Sequence, residues 1–172
     1  MSGRDPKTRI VEEQPGPFAP RQAVLEVEEG VLFAPKFDSA GLLPVITADA
    51  ETREILMLGF MNAEAVAKTL VTGEMHYWSR SRRVLWRKGE TSGLVQRVIE
   101  LRVDDDQDAL LALVNIEGKV VASCHVGYRS CFYRSILLDG GAARPARLAF
   151  TEDRKAFDPG AVYGDAPNPT VL

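Results

Sequence analysis

The sequence predicts an α+β fold, a single domain built on a mostly antiparallel, twisted β-sheet with one main helix. Three observations carry that expectation: one capped helical segment, several short β-rich runs, and turn signals between them. The 172 residues suit one domain and are enough to bury a core. Hydrophobic residues at 45% and charged residues at 26% give the balance of a water-soluble globule.

Residues 1–22 carry Pro6, Pro15, Pro17 and Pro20 without apolar periodicity and read as an N-terminal arm. The body is expected over 23–138. Val31-Leu32-Phe33 and Leu42–Ile46 are short β-rich runs on either side of Pro35 and Gly41, and Glu54–Phe60 is another apolar run. Asn62 has the chemistry of an N-cap for a helix over Ala63–Thr72, and Gly73 that of its stop. A polar, basic stretch runs from His76 to Gly93. Residues 98–104 then alternate, with Ile99, Leu101 and Val103 on one side, as a half-buried strand does. Ala109–Ile116 would be its neighbour, Glu117-Gly118 a hairpin turn, and Lys119–Ser123 a third strand. From Asp139 onward Gly, Pro and charge rise, so 139–172 reads as a peripheral tail with few core contacts.

Lys and Arg number 21 against 24 Asp and Glu, a net charge of −3, which disfavours nucleic-acid binding through bulk charge. No run approaches the ~18–20 apolar residues of a membrane helix, and the polar start lacks a signal-peptide pattern. A cytoplasmic protein is expected. Two cysteines are too few for a disulfide framework or a four-sulfur zinc site.

Three segments have the residue types for chemistry. Asp104-Asp105-Asp106-Gln107-Asp108 sets four carboxylates at a strand end, which suits a hard cation such as Mg²⁺ or Ca²⁺; a solvated acidic turn has the same composition. Cys124-His125 with Cys131 offers soft ligands for Zn²⁺, and Gly127 permits the turn between them; two buried cysteines beside a hydrogen-bonded histidine would look alike. The stretch Tyr77–Gly93 combines arginine forks and hydroxyls that bind phosphate with Trp78 and Trp86, which stack bases. A charged surface hairpin with core tryptophans would read the same way, and RNA binding uses these residue types too.

Taken together the three segments resemble the phosphoribosyl-AMP cyclohydrolase family. The matching strings are Phe60-Met61-Asn62 with Glu64-Ala65, Tyr77-Trp78-Ser79-Arg80-Ser81-Arg82, Leu85–Gly93, Cys124-His125, and Arg129–Arg134, spread over about Phe37 to Arg134. The resemblance implies a homodimer with active sites formed between subunits, and the use of zinc and magnesium. Carried over, Asp104, Asp106 and Asp108 match the magnesium positions, and Cys124 and Cys131 match two zinc positions. The family's acidic segment reads Asp-Cys-Asp-x-Asp, so Asp105 stands where a third zinc-ligating cysteine is usual. Leu94 is a second departure, at a position where His or Asn is common.

The activity implied is hydrolytic opening of the adenine ring of 1-(5-phosphoribosyl)-AMP at N1–C6, a step of histidine biosynthesis. His125 would move protons, and Trp78, Ser79, Arg80, Arg82, Trp86, Lys88, Glu90, Thr91 and Ser92 would bind the nucleotide, with His76 unassigned. Zinc accepts carboxylate oxygen, so Asp105 either completes a weaker site that admits Mn²⁺ or Fe²⁺ or faces solvent with the zinc lost. The rival readings are a paralogue acting on another purine-like or amidine substrate, one working without zinc, and a noncatalytic nucleotide- or RNA-binding module.

Overall fold

The computed structural model describes residues 17–138, 145–166 and 168–170. Residues 1–16, most of the expected arm, lie outside the described residues. The core is a four-stranded sheet in the order β2-β1-β6-β5, built from β1 (Leu43–Asp49), β2 (Ile55–Met61), β5 (Val95–Val103) and β6 (Leu110–Glu117). The pairs β1/β2 and β5/β6 are antiparallel, and the central pair β1/β6 is parallel. Two smaller antiparallel pairs accompany it: β3 (His76–Ser79) with β4 (Val84–Arg87), and β7 (Arg134–Ile136) with β8 (Leu148–Phe150). The helices are α1 (Val24–Glu28), α2 (Ala63–Thr72) and α3 (Pro159–Tyr163), and α2 is the longest. The α+β expectation with a mostly antiparallel sheet holds.

Helix α2 forms where its end signals place it. The Asn62 side chain accepts from the Ala65 amide at 2.9 Å, and Gly73 closes the helix in the left-handed region at φ 68°. Ala65 and Val66 pack on one face of the sheet with Leu43, Val45, Met57, Met61, Leu110, Ala112 and Val114, joined by Met75 and Tyr77. The opposite face differs. Ile46 pairs with Leu58 on one side and Leu111 on the other, and Ile46 and Leu58 are 43% and 51% exposed. No helix among the described residues is long and apolar enough to cross a membrane.

Three expectations need correction. Val31–Phe33 is not a strand: Val31 and Leu32 are exposed, and the segment is held by the Ala19 amide on the Phe33 carbonyl and by Gln107 on Leu32 and Ala34. Lys119–Ser123 is irregular, with no strand among the described residues pairing it. Strand β5 begins at Val95, and a bulge between Val98 and Glu100 shifts its register on an edge, leaving Ile99 and Val103 exposed. The segment after Pro145 adds no residue to the buried core but is attached to the surface of the body. It pairs β8 with β7 and reaches the cysteine turn, as described below.

Candidate active site

The cysteine turn is built by short-range backbone bonds. The Ser123 and Cys124 amides donate to the Arg129 and Tyr128 carbonyls, and Gly127 donates back to Cys124. Gly127 has φ 101°, and a Cβ there would lie 2.5 Å from the Phe157 carbonyl oxygen, so the turn needs glycine both for its conformation and for the close approach. The chain then crosses to β2, where the Cys131 amide donates to the Leu56 carbonyl at 2.7 Å. Both thiols thereby come within hydrogen-bonding contact of each other. The Cys131 thiol donates to Cys124, and this lowers the Cys124 pKa to about 6, assisted by nearby amides and the Lys88 charge against the opposing effect of burial. Cys131 is pushed up by the same bond, by burial and by its ionised neighbour.

A buried polar chain fixes the floor beneath the thiols. Thr47 Oγ1 and the Tyr77 hydroxyl lie 2.8 Å apart, Tyr77 donates to Gln96 Oε1 at 2.6 Å, and Gln96 Nε2 donates to Ser123 Oγ at 3.0 Å. Burial raises the Tyr77 pKa, so it stays a phenol and a donor. The Lys88 ammonium donates to the Ser123 carbonyl and lies 5.7 Å from the Trp86 ring centre, and burial lowers its pKa. His125 is held neutral chiefly by burial, and its buried Nε2 has no hydrogen-bond partner among the described residues. Arg129 ties the turn to the body through Asp49 at 2.9 Å and through Glu54. None of Gln96, Ser123, Asp49, Glu54 or Glu152 stands out in the sequence, since their roles arise from contacts 20 or more residues away.

The basic hairpin stands beside this group. Trp78 and Ser79 are on β3, Arg80 and Arg82 in its turn, Trp86 on β4, and Glu90, Thr91 and Ser92 in the turn leading to β5. Trp86 stacks on Tyr77 at 5.0 Å, the Arg80 guanidinium lies 3.8 Å from the centre of the Phe60 ring, and Arg82 donates to Ser79 Oγ. His76 is buried, with Nδ1 2.8 Å from the Glu74 carbonyl oxygen.

The acidic loop forms a separate cluster. Gln107 adopts φ 58° and buries its side chain between the Ala34 amide and the Val27 and Leu32 carbonyls, which turns Asp104, Asp106 and Asp108 toward one another. Their carboxylates lie within 4.8 Å of each other, an arrangement that can hold a hard cation. The Lys36 ammonium bridges Asp106 at 2.6 Å and Asp108 at 3.1 Å. Asp105 is exposed and stands outside the cluster.

Strand β6 separates the two centres. The acidic loop precedes Leu110 and the cysteine turn follows Glu117, so β6, roughly 25 Å of extended strand, runs between them in the chain. Cys124, Cys131, His125 and Lys88 are brought together; Asp105 is not brought to them within one chain.

Comparison with known proteins gives these centres a context. The family model for phosphoribosyl-AMP cyclohydrolase matches residues 57–133. A relative from Nitrobacter winogradskyi named phosphoribosyl-AMP cyclohydrolase is 50% identical over 138 residues, which are 80% of this chain and 92% of the relative. The chain belongs to the phosphoribosyl-AMP cyclohydrolase family. Members from Bradyrhizobium diazoefficiens (50% identical, 80% of this chain, 94% of the relative) and Rhodopseudomonas palustris (49%, 86% and 97%) bear the same name. The family match begins inside β2 and ends at Tyr133, so it contains both centres and the basic hairpin.

The donor sets can be tested against the metals that the resemblance implies. The convergent carboxylates fit a magnesium-type ion. Two thiols in contact, one ionising near neutrality, fit a zinc-type ion. They are one protein ligand short of a three-ligand site with an open position.

Proposed function

We propose that the protein is a phosphoribosyl-AMP cyclohydrolase, a hydrolase of histidine biosynthesis that opens the adenine ring of 1-(5-phosphoribosyl)-AMP at N1–C6. The observation that carries this reading is near-full-length similarity, at about half identity, to relatives bearing that name. The contact of the two thiols beside the basic hairpin supports it. Water adds its oxygen to C6, the N1–C6 bond breaks, and N1 takes the proton.

The chain's own residues divide this work. Arg80, Arg82, Thr91 and Ser92 hold the phosphate ends with Ser79 and Glu90 beside them, Trp78 and the free face of Trp86 carry the base, and Lys88 stands between nucleotide and thiols. Neutral His125 carries the proton from the attacking water to N1. Cys124 and Cys131 would hold zinc, or a related divalent ion, and Asp104, Asp106 and Asp108 magnesium. At the thiols such an ion supplies Lewis acidity that brings the pKa of water toward about 7. An ion held by Asp104, Asp106 and Asp108 would supply positive charge beside phosphate.

The missing zinc ligand is assigned to Asp105 of a second copy. Two features support a homodimer with shared sites: the acidic loop and the cysteine turn flank β6 in the chain, and Ile46 and Leu58 are exposed beside half-buried Leu111. The arm of 1–22 and the tail of 139–172 flank a catalytic unit of 23–138 in this assignment, and the enzyme works in the cytoplasm. A zinc-independent variant is the second reading, favoured by the exposure of Asp105.

The test is ring opening followed by absorbance with Zn²⁺ and Mg²⁺, together with metal analysis of the protein as isolated. Turnover with one zinc per chain is expected. No turnover, restored by Asp105→Cys, would sink the reading that this chain is itself the enzyme. Turnover without zinc would establish the second reading.

A further inference from the structure

The cysteine turn's own backbone bonds close it at Ser123, Cys124 and Gly127 but leave the Arg129 and Ser130 amides without partners inside the loop. Its outer side is gripped by a segment beyond the part matched to the family model, which ends at residue 133. The Glu152 carboxylate accepts from two consecutive amides, those of Arg129 and Ser130, each at 2.9 Å. These are the two residues immediately before Cys131. A few residues on, the Ala156 amide donates to the Gly127 carbonyl at 2.7 Å, and the Phe157 carbonyl presses against the Gly127 α-carbon. Glu152 is itself held in register by the β7/β8 pairing and by the Thr151 amide, which donates to the Tyr133 carbonyl at 2.9 Å. Tyr128 and Tyr133 stack at 4.0 Å with Phe150 5.9 Å from each, joining the turn to β8 through apolar surface.

We propose that residues 148–157 form a clamp on the cysteine turn, with Glu152 as the positioning residue that holds Cys124 and Cys131 in chelating geometry. The charge of Glu152 has the wrong sign to favour a thiolate at Cys131, and it raises that thiol. Its contribution is therefore geometric: a bidentate carboxylate orders two amides that a turn of this shape leaves without partners. Arg129 holds the same turn from the body through Asp49 and Glu54, so the loop is fixed from both sides.

The inference rests on the proposed function only in taking the thiols to be metal ligands; the spacing of the dithiol does not depend on it. The experiment uses the full-length, metal-free protein and phenylarsine oxide, a trivalent arsenical that closes on two adjacent thiols. Wild type is expected to take one equivalent per chain. Glu152→Ala should weaken arsenical binding about tenfold, the effect of losing one to two charge-assisted hydrogen bonds. Glu152→Gln, which keeps one carbonyl acceptor, should fall between the two and serves if the alanine variant does not fold. A lowered thermal midpoint with arsenical affinity within about twofold of wild type would give Glu152 a purely structural role and overturn the proposal. Failure of the wild type to bind the arsenical would overturn it as well. Zinc content on the same samples bears on the enzymatic reading alone: a chain that closes on the arsenical but takes no zinc supports the clamp and counts against that reading.

Discussion

Cys124 and Cys131 share a hydrogen bond, so the first ionises at the expense of the second. In the metal-free protein we expect one thiolate per chain, with a midpoint of about 6 for Cys124, visible as thiolate absorbance and in the pH dependence of alkylation. Cys131→Ala removes the donor, and the midpoint should move up toward the ordinary thiol range near ~8.5. An unmoved midpoint would mean that Lys88 and the turn amides hold the charge without Cys131. At the acidic loop, the hydrogen bond from Lys36 holds the Asp106 carboxyl below its usual range. Such a depressed acid adds stability above its ordinary pKa of 3.8 and loses it as pH falls through the lower folded value. Lys36→Met abolishes that contribution, so its acid-unfolding curve should run below that of wild type at neutral pH and converge with it at low pH. The same substitution removes a cation that competes with any divalent ion for Asp106 and Asp108, and tighter Mn²⁺ binding, read by electron paramagnetic resonance, is the second expected outcome.

Secondary-structure elements here obey local or distant rules, and that distinction governs how much of them was legible. Helix α2 was legible to the residue because both of its ends are chemical signals within three residues of the boundary. Asn62→Ala should cost about 1 kcal/mol in urea unfolding and leave the thiol titration unchanged, since the helix packs against β2 and β3. Strands were less legible. Lys119–Ser123 has the composition of a strand but no partner strand among the described residues, and the β5 bulge displaces the alternation that made Ile99 and Val103 look buried. Of the candidate site, the thiols, the acidic triad and the basic hairpin were readable as clusters in sequence. Their supports were not: Gln96 reaches Ser123 across 27 residues, and Glu152 reaches Arg129 across 23, distances at which only the finished fold brings partners together.

On the scale of the whole molecule, the parallel pairing of β1 with β6 sets the sheet order, and β6 then carries the acidic loop at one end and the cysteine turn at the other. No sequence pattern announces that polarity, because both loops lie within 27 residues of each other in the chain, from Asp104 to Cys131. Its consequence is genetic as much as structural. If each centre is completed by the opposite end of a second copy, two proteins that are each inactive need not remain so when combined. A chain carrying Asp105→Ala and another carrying Cys124→Ala, co-expressed or exchanged through unfolding, would form mixed pairs in which one of the two sites has all of its native ligands. Statistical mixing makes half of the pairs mixed, so about one quarter of wild-type activity should return. A mixture as silent as its parents would mean that each chain carries its chemistry alone.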